Sequence, residues 1–167
     1  MLEKSNKWLK FVKNYQKTYT TESMTRKEFQ DIAQLRLKDA EASFKQNQYD
    51  GCCYLAGYVI ELALKAAICK NMHNNDFFDA VKTETARAFK IHNLKELIIL
   101  AGLSHRYKDL PVDNPILADY WVFVIDGIKW SEQLRYQSGF TQMQAKLMLE
   151  AINHPQNGIL KWTKKYW

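Results

Sequence analysis

Between Asp50 and Lys70 the apolar positions Leu55, Val59, Leu62, Ala66 and Cys69 recur at spacings of four, three, four and three. That rhythm predicts a helix laid along a core, with Asp50 as its N-cap. Glu61 and Lys65 alone interrupt the apolar run. They stand four residues apart in the favourable Glu-before-Lys order, on one helical face. Upstream, Thr25-Arg26-Lys27-Glu28 has the form of a capping box, with Met24 and Phe29 placed to staple across it. Phe29, Ala33, Leu37, Ala40 and Phe44 then mark the buried face of a second helix. The turn between the two, Gln46–Tyr49, is short enough to make them an antiparallel pair.

Residues 71–91 are polar and aperiodic apart from Phe77, Phe78 and Val81. Asn93, with Glu96 three residues on, predicts a short helix that Gly102 stops. Asn114-Pro115 opens a long apolar helix carrying Leu117, Trp121, Val124 and Ile128 and running to about Tyr136, where Gly139 ends it. Thr141-Gln142-Met143-Gln144 caps a further helix that Pro155 stops, and a last basic, aromatic helix follows Gly158. At the start of the chain, Trp8, Phe11, Val12 and Tyr15 share a face over residues 4–17. Nothing alternates with period two. The expectation is all-α: an up-and-down bundle of four to five core helices at 21–167, preceded by an amphipathic helix at 1–20. Segments 50–70 and 115–136 are expected at its centre.

Composition narrows the function more than the fold. A chain of 167 residues suggests one domain with enough core to need no staple. Its three cysteines, two adjacent and none in a CxxC pair, fit neither a disulfide framework nor zinc; they are expected as reduced helix residues in a cytoplasmic protein. His73, His105 and His154 have no metal-ligand spacing, and no Gly-rich phosphate loop or GxSxG is present, so no metal or cofactor is expected. No apolar stretch is expected to approach the ~18 residues of a membrane span, so no membrane partner is expected. The net charge of +6 sits at the ends, with +4 in residues 1–17 and +3 in residues 161–167, which leaves −1 for the rest. Lysines interleaved with Trp, Tyr and Phe suit RNA, through phosphate neutralisation and base stacking. The same rings on one helical face also suit packing on the bundle, with Lys stems over their edges.

Leu37-Lys38-Asp39-Ala40, Tyr49-Asp50-Gly51, the run Ala56-Gly57-Tyr58-Val59-Ile60-Glu61-Leu62-Ala63-Leu64-Lys65-Ala66, Lys90-Ile91-His92-Asn93-Leu94, and Trp130 followed by Arg135-Tyr136 form a set of segments. Together they resemble the HEPN (higher eukaryote and prokaryote nucleotide-binding) domain family. The resemblance spans about residues 25–165. It implies a homodimeric helical bundle, a setting in bacterial defence or toxin–antitoxin systems, and a nucleotidyltransferase-like partner. Many members of the family are metal-independent ribonucleases that use an Arg followed after four to six residues by a His. The matching Arg here is Arg135, and Phe140, Thr141 and Gln142 occupy the positions where the His would stand. The resemblance therefore implies first a non-catalytic component that binds RNA, a nucleotide or a protein partner. The alternative is a ribonuclease in which Arg135 and His92 meet in space, the His moving protons and the Arg stabilising phosphate charge. Arg87 and His92 show the spacing too, but chance alone predicts about 0.36 such matches in this chain.

The candidate ligand-binding residues are Tyr58, Glu61, Lys65, Arg135 and Tyr136. Glu61 and Lys65 suit either a register-fixing pair, with Arg135 as a further partner, or a polar floor for a phosphate. Arg135 suits either a helix C-terminus or a phosphate grip. His92 suits an anchor for the loop entering the helix at Asn93, and Asp126 suits the acid that orients an Arg.

Overall fold

The structure, a computed structural model, describes residues 24–75, 77–80 and 91–167. The helix expected over 4–17, and with it Val81 and Arg87, lies outside the described residues. The described residues form α1 (Arg26–Lys45), α2 (Tyr49–Asn71), α3 (Phe77–Ala80), α4 (Leu94–Leu100), α5 (Ser104–Asp113), α6 (Pro115–Val122), α7 (Gln142–Asn153) and α8 (Ile159–Thr163). Among the described residues there is no strand, and the fold is the all-α bundle that the periodicity predicts.

α1 begins where its capping box requires. The Thr25 side chain accepts from the Glu28 N–H, and Glu28 Oε2 accepts from the Thr25 N–H at 2.7 Å. Phe29, Ala33, Leu37 and Ala40 are buried along one face. That face packs along α2, the centre of the molecule, which also meets α4, α7 and α8. α2 is buried almost all round, so it lacks the wet face of an ordinary surface helix. By length and composition it is long and apolar enough to cross a membrane, which corrects the expectation that no such stretch exists. The expectation failed because the Glu61–Lys65 pair breaks the run without making it polar. In the fold 78% of that apolar window is buried inside the protein, as befits a core helix.

Asp50 is not the N-cap of α2. Gln48 holds that position and makes no side-chain cap. Asp50 lies inside the first turn, and its Oδ1 accepts from the Gly139 and Phe140 N–H groups at 2.9 and 2.8 Å. It thereby fixes the loop that enters α7. The loop between α1 and α2 turns through Asn47 in the left-handed region (φ 59°), which Asn tolerates better than most side chains.

The segment 115–136 also departs from its expectation of one rod. α6 passes at Phe123–Gly127 into a π-helical turn, with Ile128 N–H donating to the Phe123 carbonyl at 2.7 Å. Lys129 then takes a left-handed backbone (φ 56°), and Glu132–Tyr136 form a 3-10 turn. Leu117, Trp121, Val124 and Ile128 are all buried as their spacing predicts. That spacing survives the π turn, so the break does not show in the apolar pattern. The principal packing of α6 is on α5, α7 and α8, whereas α2 is met by the 3-10 turn. The centre is therefore α2 flanked by α1 and α7, not α2 beside a second long helix. α5, a polar helix with Pro111 near its end, has no counterpart in the sequence expectations.

Candidate functional site

The polar pair of α2 closes on itself and on one residue from outside. Lys65 Nζ donates to Glu61 Oε1 at 2.7 Å. His92 Nδ1 lies 2.9 and 3.0 Å from the two Glu61 oxygens. Glu61 is 0% exposed and Lys65 9%. A carboxylate so buried is tolerable only when its oxygens are occupied, and these two neighbours occupy them. Phe78 of α3 covers the ammonium, its ring centroid 5.5 Å from Nζ. The expected partnership of Glu61 with Arg135 gives way to this one with His92.

The contact orients His92. A carboxylate facing Nδ1 favours the tautomer that carries its proton there, which leaves Nε2 as the free edge of a half-buried ring. His92 also lines a cleft of about 500 Å³ between segments 91–96 and 125–132. Lys95 and Asp126 join the two walls with a 3.1 Å ion pair at the exposed rim. An exposed pair of this kind contributes little to stability. Asp126 therefore meets Lys95, not the Arg expected from its position. Lys129, Trp130 and Glu132 complete the wall after the π turn. A π turn and a left-handed non-glycine residue beside a cleft are local irregularities of the kind that cluster at functional sites.

Glu132 lines the same cleft as His92. Its own backbone N–H holds its carboxyl below the usual carboxylate range, and the Gln133 side chain and the charges of His92 and Arg135 act in the same direction. Arg135 follows Glu132 three residues on in the same 3-10 turn. Arg135 itself is exposed on the 3-10 turn, its guanidinium 4.8 Å from the Tyr136 ring, and neither residue lines the cleft. Tyr136 is 74% exposed. Tyr58 is half-buried beside Trp130, ring centroids 6.4 Å apart. Burial foremost, and then the charge of Glu61, raises its phenol above the ordinary value, against smaller opposing effects of Arg36 and Arg135. Of the sequence candidates, the fold brings Glu61, Lys65 and His92 into contact, sets Tyr58 next to them, and leaves Arg135 and Tyr136 outside the cleft.

Trp130 is the residue that positions the far wall. It is 5% exposed, its indole N–H donates to the Tyr54 carbonyl at 3.0 Å, and its ring lies on Gly57. Lys95, Lys129 and Glu132 were not among the sequence candidates. The signal for the Trp130 seat was present, because a glycine inside an otherwise strong helix usually has a packing reason. Among the described residues no cluster of His, Cys, Asp or Glu could hold a metal.

The fold and cleft define a helical bundle organised on one buried, charge-bearing helix. The HEPN domain family model matches residues 27–76, which spans α1 from its second residue and all of α2. The resemblance carried by Tyr49–Gly51 and Ala56–Ala66 is thereby shown for these two helices. His92, Trp130 and Arg135 lie beyond the matched segment. No curated protein and no solved structure matches the chain.

Proposed function

We propose that this HEPN-like protein is a non-catalytic binding component whose His92 cleft takes a nucleotide or a short single-stranded RNA segment. The observation that carries the reading is the Glu61–His92 contact. It fixes the imidazole as one oriented hydrogen-bonding edge on a cleft of nucleotide size. Lys129 adds a cation to the same wall, and Ile91 and Ile125 supply apolar surface for a base. Arg135 stands outside the lining and has no imidazole in its own sequence window, which favours binding over cleavage. The setting we propose, on the family resemblance, is a bacterial defence or toxin–antitoxin system. There the protein acts as a homodimer beside a nucleotidyltransferase-like partner.

A second reading is a metal-independent ribonuclease using His92 as acid–base and Arg135 as phosphate grip; the 3-10 turn that carries Arg135 also brings Glu132 into the wall of the His92 cleft, which favours it. One experiment separates the two. Purified protein, His92→Gln and Arg135→Ala are incubated with total RNA in EDTA, and binding of labelled nucleotides and short RNA is measured in parallel. Binding lost in His92→Gln, with intact RNA throughout, is the expected result. Cleavage by the parent that disappears in Arg135→Ala establishes the ribonuclease instead. Retention of neither RNA nor nucleotides at low salt refutes both.

A further inference from the structure

A second cleft lies at the C-terminal end of α2 and shares no residue with the first. It encloses about 320 Å³ at the junction of α2, α4, α5 and the chain after α8. Lys70 reaches it from the last turn of α2, Arg106 from the first turn of α5, and Lys165 from the turn after α8. His73 and the Asn71 side chain add polar groups. Among the described residues no carboxylate lines it. This contrasts with the His92 cleft, where Glu96, Asp126 and Glu132 balance the cations.

Three exposed cations converge on one cavity, and no ion pair among the described residues accounts for their meeting there. Among the described residues none of the three makes a salt bridge or a side-chain hydrogen bond. The helix ends that open here need no side-chain donors. Met72, His73 and Asn74 N–H groups donate to the Ile68, Lys70 and Cys69 carbonyls; Ala101, Gly102 and Leu103 close the end of α4 in the same way. Arg106 stacks its guanidinium 5.2 Å from the centroid of Tyr166, which holds its planar fork at the edge of the cavity. Tyr166 is fixed in turn against Trp162, centroids 5.3 Å apart.

We propose that this cleft is a phosphate-binding site, independent of the His92 reading, that takes a pyrophosphate group, either free or as the phosphates of a nucleotide. The stacked Arg106 supplies a bidentate grip, and Lys70 and Lys165 supply point charges on either side. The cavity accommodates the phosphates and leaves any attached nucleoside outside it.

The test is calorimetric titration of the full chain with inorganic pyrophosphate, with a nucleoside triphosphate and with a short single-stranded RNA, at low and high salt. The variants are Arg106→Gln, Lys165→Gln, Arg106→Lys and His92→Gln, each checked for an unchanged thermal transition. Pyrophosphate is expected to bind, more weakly at high salt. Affinity is expected to fall about tenfold or more in Arg106→Gln and Lys165→Gln. It is expected to recover in part in Arg106→Lys, and the loss in Arg106→Gln is expected to persist when His92→Gln is added to remove the first cleft. In the His92→Gln background, equal affinity for pyrophosphate and triphosphate assigns the free anion; tighter triphosphate binding that Arg106→Gln abolishes assigns a nucleotide. The proposal is overturned if pyrophosphate fails to bind at low salt, if RNA alone binds, or if the loss occurs in His92→Gln and not in Arg106→Gln.

Discussion

Gly57 and Trp130 occupy each other's space: a Cβ placed on Gly57 would lie 2.2 Å from the Trp130 ring. Real side chains do not approach so closely, so the ring and any side chain at position 57 exclude each other. The indole N–H is bonded to the Tyr54 carbonyl one turn earlier on α2, so the ring is held by both face and edge. Trp130 is also the residue at which the chain re-enters the core after the π turn, and it stands in the wall of the His92 cleft. Gly57→Ala is therefore expected to destabilise the fold by about 1–3 kcal/mol despite the better helix propensity of Ala. Urea denaturation gives the magnitude. A shift in tryptophan emission shows whether the ring has moved, and a stabilised Gly57→Ala would show that the seat is loose.

Glu61 is the next test. Glu61→Ala leaves the Lys65 ammonium buried without its acceptor, and a loss of about 3–5 kcal/mol is expected. Glu61→Leu combined with Lys65→Met removes both charges and is expected to recover most of it. A double variant no better than the single one would mean that His92, not Lys65, dominates the contribution of Glu61.

Asp50 ties α2 to the start of α7 through two backbone N–H groups. Asp50→Ala is expected to lose about 1.5–3 kcal/mol, as for hydrogen bonds to a charged acceptor. Limited proteolysis is expected to cut faster at residues 137–141, with Asp50→Asn intermediate. Unchanged cleavage there would place the constraint elsewhere.

The cysteines give a pH dependence. Burial pushes the Cys52 thiol up to about 11 and the Cys53 thiol up to about 12, from an ordinary 9.0. The unfolded chain releases these protons near pH 9 and the folded chain holds them. Stability from this source is complete below pH 9 and falls as pH rises from 9 toward 11–12, by up to about 1.4 kcal/mol per pH unit for each thiol. Denaturation midpoints measured across that range are expected to fall, and Cys52→Ala with Cys53→Ala to flatten the slope. At pH 8 the native protein is expected to resist thiol reagents and to react fully in guanidinium. Prompt modification of the native protein would contradict the burial.

Lys129 sits in the left-handed region at the cleft wall. Lys129→Gly removes that backbone strain and is expected to leave stability unchanged or raise it by about 0.5–1 kcal/mol. In the same variant, nucleotide binding at the His92 cleft is expected to weaken. Reduced stability with unaltered binding would show that the lysine serves the fold alone.

The amino-acid sequence by itself determined the elements: the capping boxes at Thr25 and Thr141, the core stripe from Phe29 to Ala40, the apolar α2 and the buried set from Leu117 to Ile128. These follow from local rules, because a cap or an apolar stripe is defined by residues within a turn or two of each other. Only the tertiary structure decided that 115–136 breaks at a π turn, that Asp50 serves a loop some ninety residues away instead of its own helix, and that Glu61 meets His92 instead of Arg135. The break leaves apolar spacing intact, so periodicity cannot report it. The other two are pairings across the chain. Which of several side chains reaches a buried carboxylate is settled by packing between segments far apart in the chain, which no local pattern records.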